Sequence, residues 1–136
     1  MKRFIFVVML LCAELGSYES VMAFESPGEL ARACQKLEAG IKGRGDNIHI
    51  PGSKEALLCW GYMRAIQDIA MLVDQEGRRL MGACAPEDSR LTDLIHAFVD
   101  YAQSHRDELA ANTAVTVIRA LQQAYPCRES GAAPKP

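Results

Sequence analysis

Apolar residues recur at three- and four-residue intervals in four separate stretches, the spacing that lines one face of a helix. The first stretch holds Leu30, Ala33, Cys34 and Leu37. Ser26 precedes it as a cap, Pro27 suits the first helical position, Glu29 favours the helix start, and Gly40 ends it. The second carries Leu58, Tyr62, Ala65, Ile66, Ile69, Leu72 and Val73 behind an N-cap at Ser53, and fades between Asp74 and Gly77. The third has Leu91, Leu94, Ile95, Phe98, Tyr101 and Ala102 on its apolar face. Its predicted start is Cys84-Ala85-Pro86-Glu87-Asp88, with proline near the first position and two acids in the first turn. The fourth holds Leu109, Ala110, Ala114, Val117, Ile118, Leu121 and Tyr125. It follows a Ser104-His105-Arg106-Asp107 turn that resembles a capping box, and it stops at Pro126.

Loop chemistry separates these stretches. Gly43-Arg44-Gly45-Asp46-Asn47 and Pro51-Gly52 bound one loop, and its Arg-Gly-Asp triplet at 44–46 reads as a plain turn. Gln75 to Ala83 forms the other. Only Ile48-His49-Ile50 suggests a strand. The predicted class is therefore all-α, a small antiparallel bundle of about four helices.

Residues 1–23 stand outside that fold. Lys2 and Arg3 are followed by an uncharged run from Phe4 to Ala13 and by Val21-Met22-Ala23, the three parts of a cleavable secretory signal peptide. The run is too short to span a bilayer, so no membrane segment is expected once it is removed. The helical domain then occupies 24–127, and the polar, proline-containing stretch 128–136 reads as a disordered tail.

Export changes the meaning of the cysteines. Cys12 leaves with the signal peptide, and Cys34, Cys59, Cys84 and Cys127 remain. An even set in a small exported chain implies two disulfides, with three possible connectivities. A short third-to-fourth connection makes those helices antiparallel, which brings Cys84, at the start of one, beside Cys127, at the end of the other. By the same reasoning Cys34, late in the first helix, meets Cys59, early in the second. Cys34–Cys59 and Cys84–Cys127 are the expected pairs.

Composition narrows the function. The chain has 49% apolar and 24% charged residues, as globular proteins do, and a net charge of −2. That charge argues against a nucleic-acid partner. No pair of cysteines has zinc or redox spacing, and no histidine lies four residues from a cysteine, so no metal or cofactor is expected. His49 lies in a loop, His96 off the apolar stripe and His105 in a turn, and the even cysteine count argues against a free thiol as nucleophile. Asp68 and Asp74 are six residues apart and do not face one another. No enzymatic activity is expected.

A set of ordered motifs points further. Cys59-Trp60-Gly61-Tyr62, Cys84-Ala85-Pro86, Tyr101 with Ser104-His105, and Pro126-Cys127 follow one another across residues 30–127. This order resembles the Rap/Tai family of type VI secretion immunity proteins. Its pattern joins a C-x-G-Y helix, a C-x-P helix start, a Y-x-x-x-H-P turn and a terminal P-C; Arg106 replaces the last proline of the turn. The resemblance implies a periplasmic inhibitor that binds a cognate effector, a peptidoglycan amidase in the characterised cases, and occludes its catalytic cleft, often as a dimer. The competing reading is a periplasmic acid-stress chaperone of similar size. A homodimer is expected, with Val99, Tyr101 and Val115 as apolar residues beyond a single stripe. A cleft-blocking protein needs a protruding element anchored at both ends. The expected partner-binding residues are Gln75, Glu76, Arg78, Arg79, Leu80 and Met81, with the Gly43–Pro51 loop as the other candidate.

Overall fold

The computed structural model describes residues 24–44 and 47–127. The expected signal peptide, the C-terminal tail and most of the Arg-Gly-Asp triplet lie outside the described residues.

The first helix, α1 (Pro27–Gly40), begins as expected: the Ser26 hydroxyl accepts from the Glu29 amide at 3.3 Å. Leu30, Ala31, Ala33, Cys34 and Leu37 are all buried, spread around more than one stripe, because α1 is the central helix against which the others pack. Gly40 ends it. A Cβ there would lie 2.5 Å from Pro51 Cγ, so the chain leaves α1 and returns from the following loop at nearly the same point.

Between them is a hairpin, β1 (Lys42–Arg44) against β2 (Asn47–His49), antiparallel with Gly43 opposite Ile48. The extended Ile48-His49 segment thus has a partner that periodicity did not reveal. Gly43 makes the pairing possible: its φ is +100°, and a Cβ would collide with the Asn47 carbonyl.

The second helix, α2 (Lys54–Ala70), is capped by Ser53, whose hydroxyl accepts from the Ala56 amide at 3.3 Å. It ends at Ala70, several residues before the expected fade. Its core face is Ala56, Cys59, Met63, Ile66 and Ala70; of the expected stripe only Ile66 lies fully in it, while Leu58 and Tyr62 are half-buried and Ala65 and Ile69 exposed. At 100° per residue the two stripes are separated by roughly a quarter-turn or a little more. The disulfide Cys34–Cys59, with Cα atoms 5.2 Å apart, draws α2 close onto α1. Small side chains and a flexible methionine fit that narrow gap better than the bulkier leucine and tyrosine.

The third helix, α3, runs Leu91–Ser104. The stretch expected to open it, Cys84 to Asp88, is extended and then turns, with the Ser89 amide donating to the Pro86 carbonyl. Cys84 is held beside the far end of the chain: it is bonded to Cys127, with Cα atoms 4.9 Å apart, and its amide donates to the Tyr125 carbonyl at 2.8 Å. The helix starts only where Asp93 can accept from the Arg90 amide at 3.0 Å.

The expected start of the last helix is displaced too. The Ser104 hydroxyl donates to the Asp100 carbonyl and closes α3 instead of capping a successor. A 3-10 helix follows at Arg106–Ala110, and Asn112 then caps α4 (Thr113–Ala124) by accepting from the Val115 amide.

Both disulfides join the predicted partners. They close segments of 25 and 43 residues. In the chain-entropy model they contribute about 3.5 and about 4 kcal/mol. Phe98, Ile95, Leu94, Met63, Leu30 and Leu37 fill the core between α1, α2 and α3, with Val117 and Leu121 from α4. Val99 and Tyr101 are buried there too. Of the three residues that motivated a homodimer, only Val115 reaches the surface. Among the described residues no helix is long and apolar enough to cross a membrane.

Candidate functional site

The connection from α2 to α3 is a braced protrusion. After Ala70 the chain runs out through Leu72 and Val73, turns over Asp74 to Arg78, and returns through Arg79 and Leu80. Val73 bridges to Arg79 in antiparallel fashion, the Asp74 amide donates to the Arg78 carbonyl at 2.9 Å, and the Leu80 amide donates to the Leu72 carbonyl at 3.0 Å.

Asp74 organises the turn. Its Oδ1 accepts from the Glu76 and Arg78 amides at 3.0 and 2.8 Å, and its Oδ2 accepts from Arg78 Nε at 2.7 Å. The Arg78 amide above all, with the Arg78 guanidinium, holds the Asp74 carboxyl below the usual carboxylate range against a smaller opposing effect of burial. Gly77 takes a φ of +76°, as the turn needs. Glu76 Oε2 accepts from Arg78 Nη2 at 3.2 Å. Arg79 Nη1 donates to the Met71 carbonyl at 2.7 Å and so supplies a cation at the end of a helix that carries none in its last turn.

The return arm is pinned more firmly than the outward one. Met81 is buried, Gln122 Nε2 donates to its carbonyl at 2.7 Å, and Ala83 bridges to Pro126 just before the Cys84–Cys127 bond.

The flanks of the loop are apolar, and its tip is polar. Seven large hydrophobic side chains are exposed among the described residues, and five of them are Ile69, Met71, Leu72, Val73 and Leu80. A concentration of that kind marks an interaction surface more than chance exposure does. Leu72 and Leu80 stand opposite one another at the base, and Leu80 is the most exposed at 60%. The six expected partner-binding residues thus fall on one element, but with different roles. Gln75, Glu76, Arg78 and Leu80 are exposed, Arg79 is half-buried, and Met81, at 7%, belongs to the core. Periodicity assigns Ile69, Leu72 and Val73 to the helix stripe and leaves Met71 out of it; the place of all four in the patch depends on where α2 stops.

Elsewhere the surface offers less. A cleft of about 450 Å³ lies between the hairpin and α3, lined by Glu38, Ile41, Ile48, Arg90, Thr92 and Ile95 among others. His96 sits between carboxylates, with Nδ1 3.1 Å from Glu38 and Nε2 3.3 Å from Asp100. Among the described residues no group of His, Cys, Asp and Glu is placed to hold a metal ion.

Residues 26–127 match the profile of the Rap1a immunity proteins. The chain belongs to this family. Neither curated proteins nor solved structures give a match. Membership in the Rap1a immunity family implies binding to a cognate effector, and it favours that role over an acid-stress chaperone. It also gives the motif residues a physical meaning. Cys59 staples α2 to α1, and Tyr62 meets Phe24 edge-on with ring centroids 6.0 Å apart. Tyr101 stacks on His105 at 4.0 Å, and its hydroxyl donates to Glu108 at 2.9 Å, where Arg119 also donates. Burial, and then the Glu108 carboxylate, push the Tyr101 hydroxyl up; the Tyr101 and Arg119 hydrogen bonds hold Glu108 down. Pro126 and Cys127 bind the end of the chain to Ala83 and Cys84. These motif residues hold the fold together. The exposed loop residues Leu72 to Leu80 lie outside them.

Proposed function

We propose that this Rap1a family chain is a periplasmic immunity protein of type VI secretion. In this reading it neutralises a peptidoglycan amidase effector by covering the active-site cleft with the Leu72–Leu80 loop. The observation that carries the reading is the loop itself: a protrusion already fixed by Asp74, with its apolar residues turned to solvent. A preformed loop loses little conformational freedom on docking, which favours tight binding. The two disulfides suit an oxidising compartment, in keeping with the secretory signal expected at the N-terminus. Occlusion needs no catalytic group, only complementarity of shape and charge.

The test is a double variant, Leu72→Asp with Leu80→Asp, assayed for inhibition of the cognate amidase. Both positions are exposed, so the fold should survive with an unchanged circular dichroism spectrum. Affinity should fall by at least about 2 kcal/mol, roughly thirtyfold, as for an interface hot spot. Full inhibition by the folded variant would move the contact to another surface, with the Gly43–Pro51 loop next in line.

A further inference from the structure

The two disulfides stand in opposite surroundings. Cys34 and Cys59 are wholly buried between α1 and α2. Cys84 and Cys127 are both exposed. An attacking thiolate must reach a sulfur atom directly, so access decides which bond exchanges.

The exposed bond also sits at a mechanically specific place. It ties the return arm of the Leu72–Leu80 loop to the segment that follows α4. Beside it, the arm is held to that end of the chain by the Ala83–Pro126 bridge, the Cys84 amide on the Tyr125 carbonyl, and the Gln122 side chain on the Met81 carbonyl. Each of these ties depends on the end of α4 staying beside the loop. The buried bond serves a different part of the molecule, the packing of α2 on α1.

We propose that Cys84–Cys127 is a thiol-exchange site that latches the loop, opened by a small thiol or dithiol reductant while Cys34–Cys59 stays closed. A reductant thiolate attacks one sulfur, the Cys84–Cys127 bond breaks, and the other cysteine leaves as a thiolate and takes up a proton. A second reductant thiol then attacks the mixed disulfide, frees the first cysteine as a thiol and departs as the oxidised reductant. Two electrons and two protons pass to the protein. The core remains stapled, and the loop's return arm loses its covalent anchor. Exchange with a disulfide oxidant, which is itself reduced to the dithiol, runs the two steps in reverse and re-forms Cys84–Cys127, so the chain completes its binding surface only in an oxidising compartment. The link to neutralisation rests on the function proposed above; the exchange and the loop's release do not.

Redox titration of the full chain with glutathione, followed by alkylation and peptide mass mapping, tests the site. Cys84 and Cys127 should be labelled at a reductant strength at least about tenfold lower than Cys34 and Cys59. Hydrogen exchange is then measured on the selectively opened protein and on the Cys84→Ala, Cys127→Ala variant. Amides of residues 78–84 should exchange about tenfold faster, with those of α1 and α2 unchanged. Simultaneous opening of both bonds, or opening of the buried one first, overturns the site. Unchanged loop amides after selective opening overturn the latch. Undiminished amidase inhibition by a selectively opened protein whose loop amides have been released supports the exchange site and overturns the loop's assigned part in neutralisation.

Discussion

Asp74 fixes its loop with one carboxylate that accepts two backbone amides and a guanidinium. Because the carboxyl's pKa is lowered in the folded chain, the ordering it provides is complete above the ordinary Asp range and is lost as pH falls through and below it. Exchange of the Arg78 amide should therefore show falling protection once pH drops below about 4, with α1 unaffected until lower pH. Asp74→Ala should give the same loss at neutral pH while leaving the unfolding transition nearly unmoved. Leu80 and Met81 illustrate how finely side-chain direction matters here. They are the two central residues of a turn closed by the Gly82 amide on the Arg79 carbonyl at 3.0 Å, and the chain bends between them so that Leu80 faces solvent and Met81 the core. Reading Arg78-Arg79-Leu80-Met81 as one surface patch misses that bend, because nothing in those four letters places a turn between Arg79 and Gly82. Met81→Ala should lower stability in urea unfolding by about 2–5 kcal/mol. Leu80→Ala should stay within about 0.5 kcal/mol of the parent in the same experiment and weaken effector binding instead.

The elements were legible where local chemistry decides and obscure where tertiary ties decide. Ser26-Pro27 and Ser53 mark helix starts in sequence and in structure alike, since each cap needs only its own next three residues. Pro86 looks like the opening of a helix, but the bond to Cys127 holds Cys84 extended beside Tyr125 and delays α3 to Leu91. The stripe on α2 is rotated for a similar reason: Cys34–Cys59 turns the Cys59 face toward α1, so Ala56, Met63 and Ala70 join Ile66 in the core and Ile69 faces out. Leu72 and Val73 continue that apolar pattern past the true end of the helix, which concealed their exposure. The turn between α3 and α4 shows the same dependence on partners. Tyr101 reaches from inside α3 to Glu108 in the 3-10 helix, and Arg119 in α4 shares that carboxylate. Tyr101→Phe should cost about 1 kcal/mol in chemical denaturation, the worth of one hydrogen bond, with helix content unchanged by circular dichroism.

At the scale of the whole molecule, the disulfide-bonded frame and the proposed contact loop are distinct parts. One staple is buried between α1 and α2, and the other is exposed where the loop's return arm meets the segment after α4. The bundle and both bond partners followed from helix order and cysteine position, because antiparallel neighbours admit few pairings. The position of the exposed apolar patch is set by where α2 ends. The contact between Gly40 and Pro51 carries a practical corollary. Since α1 and the returning chain meet at that point, the hairpin from Lys42 to His49 is a detour whose two ends are already neighbours. Excising it in favour of a short glycine-serine link, or grafting a reporter domain into it, should leave the melting temperature within a few degrees of the parent, as expected where loop length carries only a small entropic cost. A fluorescent module grafted there would give a tracer for the immunity protein that leaves the Leu72–Leu80 face clear.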